Sequence, residues 1–168
     1  MIQRIQSLYL LIAAVLAASV LAFDIWSGEV APDANQGIEQ VVILDASEMV
    51  METTGNTEAE ADMVVQNTFW IALLCGLTTI LGFIAIFLYK NRKLQNTISR
   101  LCMLLLTGVL VIIFFYIDEG KAYFQNTDYE SMYDVAAFLP IASIAFFFLA
   151  TRAITADENL VRSSERLR

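Results

Sequence analysis

The segment with the most chemistry to offer is Asp33-x-Asn35-x-Gly37-x-Glu39, where oxygen donors alternate with spacers as they do in a calcium loop. The match fails at two positions. Gly37 falls fifth, where a ligand belongs, and Leu44 stands twelfth, where the loop needs a bidentate Glu. A solvated acidic stretch, or one that meets a basic partner, accounts for these residues better than a cation site. Asp118, Glu119 and Asp134 form a second acidic set, the place to look for acid–base work at a membrane surface. Cys75 and Cys102 both sit in apolar runs and do not form a C-x-x-C pair, so they read as small buried apolar residues. Their different depths argue against a mutual disulfide, whose Cα atoms must come within about 7 Å. Histidine is absent, which removes imidazole catalysis, bis-histidine haem and most zinc chemistry. No cofactor, metal ion or catalytic residue is expected.

These residues hang on four apolar runs, 5–23, 67–89, 101–117 and 135–151, that contain no Asp, Glu, Lys or Arg. An apolar helix of about 20 residues crosses a hydrocarbon core of about 30 Å. Counting interfacial ends, the runs predict spans at 5–23, 67–89, 100–117 and 134–152. With 58% hydrophobic residues and a mean hydropathy of +0.62, the chain reads as an all-α membrane protein. The expected fold is four transmembrane helices in one antiparallel bundle, with an acidic outer loop of 40 residues, 24–63, between helices 1 and 2.

Charge gives the orientation. Arg4, Lys90, Arg92, Lys93, Arg100, Arg152, Arg162, Arg166 and Arg168 fall on one side of the runs, nine of the ten basic residues. Fifteen of the eighteen acids fall on the other, with Lys121. Lys and Arg near span ends stay cytoplasmic, so both termini and the hairpin 90–100 are expected inside. The sides carry +6 and −14. An inner face of this sign attracts anionic lipid headgroups, and the outer face is electronegative. Topology accounts for the basic residues, so nucleic-acid binding is not expected.

Within the runs the polar groups are Ser19, Thr78, Thr79, Thr107 and Ser143, whose hydroxyls can bond their own helix backbone. No ionisable residue marks a transport path. The first run follows Arg4 and could be mistaken for a cleavable signal, but its nineteen residues are long for that and predict a retained span. Ala14, Ala18 and Ala22, with Ala13 and Ala17 beside them, and Gly76, Thr79 and Gly82, are spaced as close-packing helix faces. In the acidic segment, Pro32 and Gly37 break the start and Thr53-Thr54-Gly55-Asn56 reads as a turn or flexible stretch. Gln40–Leu44 reads either as a short strand or as an apolar patch on the membrane surface. So polar a segment cannot bury a core alone. Pro140 predicts a kink in the fourth helix, which should continue into a charged tail, 153–168.

The start MIQRIQSLYLLIAA, the hairpin YKNRKLQ and the end RAITADENLVRSSERLR resemble a family of uncharacterised four-helix inner-membrane proteins of Bacteroidota. The resemblance implies a multi-pass protein of a bacterial inner membrane with a periplasmic acidic loop, and it implies no activity. The positions it marks are Gln3 and Arg4 at the start and Arg152, Asp157, Glu158, Arg162, Arg166 and Arg168 at the end. Those charges exceed what orientation needs. They either close the inner end of the bundle with salt bridges or form a partner-docking surface. The leading expectation is a non-enzymatic accessory or scaffold subunit with a protein partner in the inner membrane or periplasm. The alternative is a protein that handles lipid or another hydrophobic substrate in a cleft lined by Phe114, Phe115 and Phe146–Phe148. A small enzyme using Asp118, Glu119 or Asp134 is the weakest of the three.

Overall fold

A computed structural model describes residues 2–30, 39–54, 63–124 and 129–166. Helix α1, Ile2–Ser19, ends in a 3-10 turn, Val20–Ala22, and feeds strand β1, Trp26–Val30. Strands β2, Glu39–Leu44, β3, Glu48–Thr54, and β4, Met63–Asn67, follow before helix α2, Phe69–Phe87. Helix α3, Arg92–Ala122, strand β5, Tyr129–Tyr133, and helix α4, Val135–Arg166, complete the chain. The five strands form one antiparallel sheet in the order β4-β3-β2-β1-β5.

This sheet overturns the all-α expectation. The fold is mixed: four helices capped at one end by a five-stranded sheet. The described strands of the polar segment 24–63 share a core with the helix ends. Alternate residues Trp26 and Gly28 of β1, Val42 and Leu44 of β2, and Met49 of β3 point inward and are buried. They pack with Val20, Ile71, Val109, Ile113 and Ala136 from the helices. β5, drawn from the second outer segment, completes the sheet against β1.

The helices form a ring in which each contacts its sequence neighbours and α1 closes against α4. All four are long and apolar enough to cross a membrane. A second core, away from the sheet, joins Leu10, Ala13, Ala17, Ala85, Cys102, Leu106, Phe147 and Ala150. The close-packing positions are therefore Ala13, Ala14 and Ala17, all fully buried, whereas Ala22 is exposed. Gly82 packs on Ala14 and Phe147, while Gly76 faces open space. Ser143 Oγ ties α4 to α1 by donating to Ala13 O at 2.8 Å. α4 runs unbroken through Pro140.

The start of α2 is satisfied by the sheet itself. Asp45 Oδ1 accepts hydrogen bonds from Ser47 N, Ser47 Oγ and Glu48 N, which shapes the β2–β3 turn. The turn then docks on α2: Ala46 O accepts from Ala72 N at 3.1 Å, and Asp45 O from Thr68 Oγ1 at 3.0 Å. Asn67 Oδ1 accepts from Phe69 N at 2.9 Å. Amides that a helix N-terminus leaves unpaired thus find partners. Thr53 and Thr54 end β3, and Gly55 and Asn56, the rest of the expected turn or flexible stretch, lie outside the described residues.

Candidate interaction surfaces

Trp26 sits at the joint between sheet and helices. Its indole is fully buried, and Nε1 donates to Ser131 Oγ of β5 at 2.8 Å. A Cβ added at Gly120 of α3 would stand 2.7 Å from Trp26 Cζ3, and one at Gly28 would stand 2.7 Å from Phe124 Cε2. Phe124 stacks on Tyr129, centroids 4.7 Å apart. This knot holds the sheet rigidly on the bundle and leaves its other face outward.

On that outward face the antiparallel register aligns two rows. One crosses all five strands as Met132, Ser27, Ile43, Val50 and Val64. The next runs Glu130, Glu29, Val41 and Glu52. Glu29 and Glu130 stand directly opposite one another, an arrangement that costs stability because like charges repel across a strand pair. Met132 and Val64 are 62% and 57% exposed. The platform therefore combines an apolar stripe with a flanking carboxylate row, a chemistry that suits a basic, partly apolar surface.

The opposite end of the bundle is knit by polar contacts. Arg92 Nη1, at the start of α3, lies 2.9 Å from Asp157 Oδ2 of α4 and donates to Asp157 O at 3.4 Å. One turn along α3, Asn96 Nδ2 donates to Thr155 Oγ1 at 3.5 Å. Gln95 Nε2 reaches Ala85 O of α2 at 3.0 Å, and Gln6 Nε2 of α1 reaches Ala153 O at 3.1 Å. Each of these bonds crosses between helices, so this end is closed by side chains reaching backbone and other side chains and by the Arg92–Asp157 ion pair.

The sequence-marked positions divide accordingly. Asp157 lies in the seam with Arg92, a residue that sequence reasoning assigned only to the hairpin. Glu158 is half-buried and Arg152 exposed. Gln3 and Arg4 lie in the first turn of α1 and Arg162 and Arg166 near the end of α4, with side chains outside the described residues, as is Arg168. Asp33, Asn35 and Gly37 are also outside the described residues, and Glu39 opens β2. Among the described residues no group of His, Cys, Asp or Glu could hold a metal ion. The phenylalanines do not converge on one cleft. Phe147 is buried in the second core, Phe146 packs on Tyr9, and Phe114, Phe115 and Phe148 are 72%, 66% and 56% exposed. Cys75 and Cys102 are free and buried in separate clusters.

The outward platform escaped sequence reasoning, although its signal was present. In Glu48-Met49-Val50-Met51-Glu52 the inward methionines alternate with the outward Glu48, Val50 and Glu52, but the alternation is masked because both faces carry apolar residues. A family model described as "Domain of unknown function (DUF4293)" matches residues 2–167. No curated protein matches the chain.

Proposed function

The chain belongs to the DUF4293 family, a domain of unknown function, and from that premise we propose that it is a non-enzymatic accessory or scaffold subunit of an envelope complex in a Bacteroidota inner membrane. The four apolar helices serve as spans, the positive-inside rule sets both termini in the cytoplasm, and the sheet lies in the periplasm. The apolar residues on the outside of the ring, such as Phe87 at 77% and Leu104 at 68% exposure, then meet lipid.

The observation that carries the reading is the sheet's outward face. It is held rigid from below by Trp26 and given an apolar row beside Glu29, Glu52 and Glu130. A protein partner that brings Lys or Arg to that row relieves the Glu29–Glu130 repulsion and covers Met132 and Val64. The membrane lipids and the partner are its only expected ligands.

Affinity purification from the native membrane in mild detergent tests this. The wild-type chain should retain one stoichiometric partner, and Glu29→Lys/Glu130→Lys, on an exposed face, should lose it while keeping its thermal unfolding profile. A chain that migrates alone sinks the proposal.

A further inference from the structure

We propose that the cleft between α2 and α3 at the sheet end binds the ammonium headgroup of an aminophospholipid. The cleft holds about 330 Å³ and is lined by Trp70, Ile112, Phe115, Tyr116, Asp118 and Glu119. On α3, Ile112, Phe115, Tyr116 and Glu119 follow at i, i+3, i+4 and i+7, which places them on one helix stripe facing Trp70 in the first turn of α2. Polarity rises along that stripe toward the sheet, from aliphatic through aromatic to carboxylate. An amphiphile with its chains in hydrocarbon and a cation at the surface has the same gradient.

Three further observations favour a cation there. The aromatic faces of Trp70, Phe115 and Tyr116 attract ammonium groups. Tyr116 is tied to the end of β4, its hydroxyl donating to Asn67 O at 3.4 Å. Asp118 and Glu119 stand in the last turns of α3, where the helix dipole disfavours negative charge. Lys121 does not neutralise them, because its Nζ donates to the Tyr133 hydroxyl at 3.3 Å and lies 5.8 Å from that ring's centroid. Among the described residues no ion pair engages either acid. Trp70 and Phe115, 62% and 66% exposed, leave the cleft open sideways, the direction from which a lipid enters. A headgroup whose only charge is negative would meet two carboxylates and no base.

This inference takes the bilayer placement of the helices from the proposed role. The test reconstitutes the full chain in phosphatidylglycerol vesicles that carry either phosphatidylethanolamine or phosphatidylglycerol with brominated chains, at equal mole fraction. Tryptophan fluorescence is then read. Trp26 is fully buried and Trp70 exposed, so quenching reports the cleft, with Trp70→Phe as the baseline. Brominated phosphatidylethanolamine should quench as if enriched about fivefold at the site. Asp118→Asn/Glu119→Gln, two exposed positions, should abolish that preference. Equal quenching by both lipids, or a preference that survives the double variant, overturns the site. Absence of quenching by either lipid overturns the bilayer placement and the site with it.

Discussion

Trp26 shows how much a single side chain can organise when glycine makes room for it. The indole occupies space that a Cβ at Gly120 would invade at 2.7 Å, so Gly120→Ala should cost about 1–3 kcal/mol, as overpacking does. Thermal unfolding in detergent measures this. Gly76→Ala, where nothing lies within 4 Å, should show no loss and serves as the control. Ser131→Ala strands the buried indole N–H and should cost about 1–3 kcal/mol by the same assay. None of this was legible at the residue level in the sequence. Trp26 lies two residues after Asp24 at the edge of a polar segment, and its burial depends on Gly120 and Ser131, about a hundred positions away.

At the scale of elements, the helices were legible and the sheet was not, for one physical reason. A span must satisfy its hydrocarbon surroundings locally, so it writes itself as a continuous apolar run. The strands instead satisfy one face from distant helix ends, and only Gln40–Leu44 carried enough β-branched residues to stand out. The β2–β3 turn makes this dependence testable. Asp45→Ala removes the acceptor for three hydrogen bonds, which should speed amide exchange at residues 45–49 and lower stability by about 1–2 kcal/mol. At the other end, Arg92→Ala leaves Asp157 without its ion-pair partner in a largely buried seam. The expected loss is about 1–2 kcal/mol, between the surface and buried limits. The swap Arg92→Asp/Asp157→Arg should recover most of it if the pair only joins helices. A single-variant loss of partner retention with unchanged stability would instead make Asp157 a docking residue.

For the whole molecule, the separation of +6 from −14 carries the proposed orientation and, in that placement, gives the sheet side a field that steers cationic partners. Orientation needs only the basic residues, since acids contribute little to it. The surplus acids on the sheet are therefore available for recognition. Association through them should weaken as ionic strength rises past the point where the screening length falls below about 8 Å. Co-purification across a salt series checks that. The most direct test of the docking face is photocrosslinking in the native membrane from a photoreactive residue placed at Ile43, in the centre of the outward apolar row. One discrete adduct, lost in Glu29→Lys/Glu130→Lys and absent when the probe is moved to the exposed Leu104 of α3, is the predicted result. No adduct from Ile43, or the same adduct from both positions, would contradict the sheet as the partner-binding surface.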